Sequence, residues 1–314
     1  MFSEVTGGMW IWNTSGLLAN STEISELIEA AHAAQISDLY LYMAPSFYTS
    51  KTSQIQSFIQ SATAAGLRVW ALDGDRAYFD DAAGPANFYD GIDHLIAYND
   101  AVDADARFFG FQADNEPQDA GTYTSFHNGV VDSALSNETG SGTWQSTQAQ
   151  DREMLMRSWL TIHQIAQQKL QANGLSFGAA MPFWTESYEG TQIRVNFPDS
   201  GSSRRGVMEF MMALLDEYVV MSYNTDPANA ASRVAAQAKY ASTLPAGQGR
   251  PRVLAAMEVT PGVGVRISYG DTEGKNSKGV VLQDREGILG ELSQYEAFGG
   301  LAIHQWSAWR SMPE

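Results

Sequence analysis

The stretch FFGFQADNEP, residues 108–117, decides the fold. It opens as an apolar strand and closes on Asp114, Asn115, Glu116 and Pro117. Charge at the end of a buried strand is costly unless it is paired or used. Alternation along a strand predicts two rows. Phe109, Phe111 and Ala113 fall on a face suited to packing against helices, and Gly110, Gln112, Asp114 and Glu116 fall on the other. The second row grows more polar toward its C-terminal end, as a strand would if it lined the inside of a barrel up to an open mouth.

The rest of the chain repeats this unit. Apolar runs at 7–12, 38–43, 66–73, 107–114, 175–184, 218–224, 252–259 and 300–306 read as eight strands. Helical patterns lie between them at about 22–35, 52–65, 85–102, 149–172, 203–215, 228–242 and 284–297. In the first of these Ile24, Leu27, Ile28 and Ala31 share a face, with Ser21 or Thr22 as the expected N-cap. Strands alternating with helices imply parallel β/α units, and eight units imply a closed (β/α)8 TIM barrel. No repeat, linker or low-complexity block divides the 314 residues, so 1–314 reads as a single domain. An eighth helix is not evident after the last strand.

The connections are lopsided. Those entering strands are short, as in TAAG (63–66), ANG (172–174) and FGG (298–300). Those leaving strands, at 118–148, 185–202 and 260–281, are long and polar. Long loops in a compact domain are usually functional, and in this fold they gather on the C-terminal face of the barrel.

Composition removes whole classes of function. A net charge of −17 repels the phosphates of nucleic acid and an anionic membrane surface, so neither is expected as a partner. No apolar run is long enough to span a bilayer. With no cysteine there is no disulfide framework, no thiolate metal site and no cysteine nucleophile. No His-Glu-x-x-His, His-x-His or clustered His/Asp pattern occurs, nor a Gly-x-Ser-x-Gly elbow or phosphate loop, so neither metal nor cofactor is expected. The start, MFSEVTGGMWIWN, shows no leader, and Asn13, Asn20 and Asn137 lie in Asn-x-Ser/Thr sequons. Location stays open, with secretion after removal of a leader preferred to the cytoplasm. The oligomeric state is not legible.

Residues 109–116, through Gly110, Asp114 and Glu116, resemble the chitinase signature Asp-Gly-x-Asp-x-Asp-x-Glu on strand four of a (β/α)8 barrel. Phe109 and Gln112 replace two of its acids. VVMSYNT (219–225) is similar to the chitinase Met-x-Tyr-Asp element through Met221 and Tyr223, with Asn224 where Asp is usual. Trp306 closes the last run, where that family keeps a Trp under the sugar. Asn115-Glu116-Pro117 also resembles the Asn-Glu-Pro end of strand four in the large retaining glycosidase clan. There a Glu on strand seven is the nucleophile, and Glu258 ends VLAAME here.

Both resemblances imply a glycoside hydrolase acting on a carbohydrate, with Glu116 as general acid/base and Asp114 tuning it. They differ on the second group. It is Glu258 as nucleophile in one, and in the other the substrate's own acetamido oxygen, held by Asp114 and Tyr223. Glu258 could instead bind a sugar hydroxyl or pair with an Arg. Tyr223, Asn224, Trp306, Trp184, Gln112, Asp73, His304 and Trp12 are the expected substrate-binding residues. Asp73 is equally suited to an Asp-Gly turn, and His304 to a structural hydrogen bond. The rival from another class is a glycan-binding barrel without catalysis.

Overall fold

The computed structural model of the chain describes residues 6–75, 78, 84–117, 126–127, 130–131, 149–188, 190–197, 204–247 and 249–314. Eight parallel strands close into one barrel. They are β1 (Thr6–Ile11), β2 (Asp38–Tyr42), β3 (Arg68–Asp73), β4 (Gly110–Ala113), β5 (Ser176–Pro182), β6 (Glu217–Met221), β7 (Arg252–Glu258) and β8 (Phe298–His304). Each pairs with its neighbours in chain order, and β8 pairs with β1 to close the ring.

The helices that follow the strands are α1 (Ser21–Ala33), α2 (Thr52–Ala64), α3 (Gly84–Ala101), α4 (Ala149–Ala172), α5 (Val207–Met212), α6 (Pro227–Thr243), α7 (Lys278–Leu292) and α8 (Trp306–Ser311). The (β/α)8 barrel expected from the sequence is the fold, and the short α8 completes its eighth unit. Most of the long connection 118–148, with Asn137, lies outside the described residues.

Capping explains where helices begin. Asn20 caps α1, its side chain accepting from Glu23 N at 3.2 Å, so the cap precedes the expected Ser21 or Thr22. Ser277 caps α7, which starts well before the expected Asp284 because Val281, Arg285, Ile288 and Leu292 form one buried stripe. Gly66 (φ 80°) and Gly174 (φ 69°) take up left-handed conformations after α2 and α4 and turn the chain into β3 and β5.

Strand alternation sorts the side chains into two apolar bodies. Met9, Leu39, Val69, Ala71, Phe111, Phe177, Val220 and Met257 face the helix layer. Trp10, Tyr40, Trp70, Leu72, Ala180, Val219, Met221, Leu254, Ala256 and Ala302 fill the lumen. Beneath that filling the strands begin with charge. Asp38 Oδ2 accepts from Arg252 Nη2 at 2.6 Å and Oδ1 from Trp70 Nε1 at 2.8 Å, while Arg68 grips both oxygens at 2.7 Å. Arg252 also donates to Glu217, whose other oxygen accepts from Tyr40 Oη at 2.5 Å. Burial alone would push the Asp38 carboxyl up, but Arg252 and Arg68 outweigh it and hold it below its ordinary value. Fully buried Glu217 is pushed up by desolvation, with Arg252 opposing.

One expected row shifts by a residue. Phe108, not Phe109, joins Phe111 in the helix-side core, with its N–H bonded to Asn99 Oδ1 at 3.0 Å. Regular alternation starts only at Gly110, just after the turn Ala104–Ala106. Phe109 is 39% exposed at the barrel floor, its ring 5.0 Å from Trp70 and under the Arg68 guanidinium at 4.5 Å.

Candidate active site

The inward row of β4 holds Gly110 and Gln112, as alternation predicted, and the strand ends at Ala113. Trp70 pairs with Gly110 and Leu72 with Gln112 in register, and Trp70 and Leu72 both lie in the lumen. Gln112 is fully buried opposite Gly178 of β5, where a Cβ would come within 2.1 Å of its Oε1. Neither amide atom of Gln112 has a hydrogen-bond partner among the described residues. Asp114 and Glu116 follow, both half-buried, where the strand opens at its C-terminal end. The N–H of Asp114 donates to Asp73 O at 2.9 Å, extending the β3–β4 ladder by one bond.

Tyr223 lies two strands round the ring from β4. It continues the inward row Glu217, Val219, Met221 beyond the end of β6, and its ring packs on the lumen cluster. Burial pushes its phenol well above the usual tyrosine range, and the charges of Glu258, Asp114 and Glu116 push it further. Three carboxylates, two just past β4 and one at the end of β7, therefore act to keep this hydroxyl protonated.

Glu258 ends β7 and is only 3% exposed. Its Oε1 accepts from Thr260 N at 2.7 Å. Its Oε2 lies 2.8 Å from Nδ1 of His304, the last residue of β8. The other imidazole nitrogen, Nε2, is 2.9 Å from Trp12 Nε1, just past β1. Tyr42 from β2 meets the Trp12 ring at 5.7 Å, and Tyr223 meets the His304 ring at 6.0 Å. Strands β1, β2, β4, β6, β7 and β8 thus all contribute to one polar and aromatic mouth.

The loop leaving β7 walls this mouth on one side. Asp271 accepts from Gly262 N at 2.7 Å and Gly264 N at 2.6 Å, which folds the loop back on itself. Arg266 O accepts from Thr225 N at 2.9 Å and ties the loop to the end of β6.

The mouth gathers Asp114, Glu116, Tyr223, Glu258, His304 and Trp12, with Gln112 beneath them. Three other expected residues are placed elsewhere, and a fourth, Asn224, is held in a turn beside Tyr223. Asp73 follows the outward parity of Ala71: its Oδ2 accepts from Tyr78 Oη at 2.7 Å and lies against Gly91 of α3. Burial raises its carboxyl to about 6, against the lowering effect of bonds from Tyr78 and Gly74. Trp306 begins α8 rather than ending β8; it is buried, and its Nε1 donates to Glu23 of α1 at 3.0 Å. Trp184, in a short 3-10 turn after β5, lies 6.3 Å from Trp159 of α4 and packs on the helix-side core. Asn224 spends its Oδ1 on Asp226 N, at 2.9 Å, in the turn that starts α6. Of the remaining tryptophans at strand ends, Trp70 belongs to the floor and Trp309 is buried in α8.

Sequence reading overlooked Tyr42 at the mouth and the charged floor. Tyr42 was findable, since DLYLY places Tyr40 and Tyr42 on one inward row. Among the described residues no group of three or more His, Asp or Glu side chains is placed to hold a metal ion, and no helix is long and apolar enough to cross a membrane.

No protein-family model and no curated protein matches the sequence. Solved structures do resemble it. A chitinase from Chromobacterium violaceum ATCC 12472 is 13% identical with a TM-score of 0.50, over 98% of each chain. A chitinase from Bacteroides thetaiotaomicron is 12% identical with a TM-score of 0.49, over 97% of this chain and 90% of the other. The C-terminal domain of a candidate chitinase from Desulfitobacterium hafniense DCB-2 is 10% identical with a TM-score of 0.43, and this chain covers 54% of its length. At such identities the likeness is one of fold.

Proposed function

We propose that the chain is a retaining glycoside hydrolase whose site is the β4–β6–β7–β8 mouth. The observation that carries the reading is the placement of Asp114, Glu116, Tyr223 and Glu258 at the C-terminal ends of strands of one parallel barrel, where the three carboxylates act on the Tyr223 phenol. Glycosidic bond hydrolysis needs an acid on one side of the scissile bond and a second carboxylate, or its equivalent, on the other. Glu116, the more C-terminal of the two β4 acids, protonates the leaving oxygen and later takes a proton from water. Glu258 attacks the anomeric carbon and leaves when that water attacks in turn. Gln112 supports the reading too, because a buried amide with no partner among the described residues suits a substrate group or the water beside it.

A second mechanism has its own observation. Glu258 is nearly buried and both its oxygens already accept hydrogen bonds. That favours substrate-assisted cleavage of an N-acetylated glycan, with Asp114 and Tyr223 holding the acetamido group and Glu258 ordering the wall. The test is turnover of a glycan panel by Glu116→Gln and by Glu258→Ala with added azide. Loss of about a thousandfold or more in Glu116→Gln supports the central assignment, and substantial turnover overturns it. A glycosyl azide from Glu258→Ala supports the nucleophile, whereas near-native turnover without azide assigns the attack to the substrate. Glycan binding with no product across the panel would make the barrel a binding module.

A further inference from the structure

His304 stands between two partners with opposite demands. The Trp12 indole nitrogen can only donate, so its 2.9 Å contact makes His304 Nε2 the acceptor. An imidazole that accepts at Nε2 carries its single proton on Nδ1, and that nitrogen lies 2.8 Å from Glu258 Oε2. The order of donation runs from Trp12 through His304 to Glu258. Thr260 N holds the other oxygen of Glu258 at 2.7 Å, so the carboxylate is pinned at both ends.

Aromatic rings flank the imidazole on two sides. Trp10 lies 5.7 Å and Trp12 6.2 Å from the imidazole, both from the β1 side, and Tyr223 lies 6.0 Å from it on the β6 side. The charged groups nearby are Glu258 itself and, beyond Tyr223, Asp114 and Glu116. A positive charge develops on the sugar in the oxocarbenium-like transition state of glycoside cleavage. An Arg or Lys holding Glu258 would set a cation beside that charge. A neutral imidazole orients the same carboxylate without opposing it.

We propose that His304 is a positioning residue for Glu258, and that Trp12 acts one step further out by fixing the imidazole tautomer, rather than either serving as a sugar contact. The role in turnover rests on Glu258 being the carboxylate opposite Glu116; the tautomer does not.

Three variants test it. His304→Asn keeps an N–H donor at the position of Nδ1, His304→Leu removes it, and Trp12→Phe removes only the indole N–H. In the native protein, imidazole nitrogen NMR should show His304 protonated at Nδ1 and not at Nε2, and Trp12→Phe should change that pattern. His304→Leu should lower kcat about a hundredfold with KM within a few-fold, as a displaced catalytic group does. His304→Asn should recover most of that loss. Crystal structures should show the Glu258 carboxylate displaced in His304→Leu and in place in His304→Asn. A native proton on Nε2, an unmoved Glu258 in His304→Leu, or a loss confined to KM would each overturn the proposal. If native protein turns over no glycan, the hydrolase reading fails, while NMR and the position of Glu258 still decide the relay.

Discussion

Arg252 of β7 donates to Asp38 of β2 at 2.6 Å across the barrel floor. The same guanidinium holds Glu217, so one cation serves two carboxylates that are almost fully buried. Removing Arg252 strands Glu217 without a cation and leaves Asp38 to Arg68 alone. Arg252→Met should therefore cost about 3–5 kcal/mol of unfolding free energy, read by urea denaturation. A cost below about 1 kcal/mol would mean that the floor reorganises or admits water.

Asp73 gives a pH signature of the opposite kind. Burial raises its carboxyl to about 6 in the folded chain, above the ordinary value of 3.8. Between those values the folded state binds the proton better than the unfolded state does. The associated stability is present below about pH 4 and is lost as pH rises through about 6. Asp73→Asn should lack this loss. Its stability relative to the native chain should rise by about 2–3 kcal/mol between pH 4 and pH 7 in parallel denaturation series. A constant difference across that window would contradict the assignment.

Tyr223 should stay a donor throughout the working pH range, because burial and three carboxylates all oppose its ionisation. Tyr223→Phe should lower kcat about a hundredfold on any glycan the native enzyme cleaves, with the fold unchanged by circular dichroism. Any alkaline limb in the native activity profile should survive the substitution, since this phenol is not its source.

Gly74 supports the mouth through backbone contact. A Cβ there would lie 2.1 Å from Asp114 O and 2.5 Å from its carbonyl carbon. Backbone cannot swing aside as a side-chain tip can, so Gly74→Ala must displace the end of β4. The expected cost is about 1–3 kcal/mol, with a fall in kcat larger than that loss of stability explains. Thermal unfolding and turnover, measured on one preparation, separate the two effects.

Strand parity made much of this legible in the sequence. Gly110 and Gln112 share the inward row because alternation holds from Gly110 to the end of β4 at Ala113. The same rule, applied to WALD (70–73), turns Asp73 outward, which the attraction of an Asp-Gly turn obscured. Phe109 was misassigned because alternation was extended past the start of the strand. Trp306 was misplaced for a different reason. The strand stops at His304, and Gln305 caps a new helix by accepting from Ser307 N at 2.9 Å, which carries Trp306 out toward α1. The floor was missed because Asp38, Glu217 and Arg252 each open a strand, where a charge reads as the polar end of a turn. Only the three-dimensional closure of the barrel brings them together, across up to 214 residues of chain.

The lumen filling of Trp10, Tyr40, Trp70, Leu72, Val219 and Leu254 separates two charged strata, one at each end of the barrel. It works as a dry slab that keeps water from passing between them. A dry filling screens charge poorly, so the floor disturbs the mouth little only because Arg68 and Arg252 balance Asp38 and Glu217. Unbalancing that two-against-two floor should therefore be felt at the mouth, so the foundation tunes the site through its neutrality.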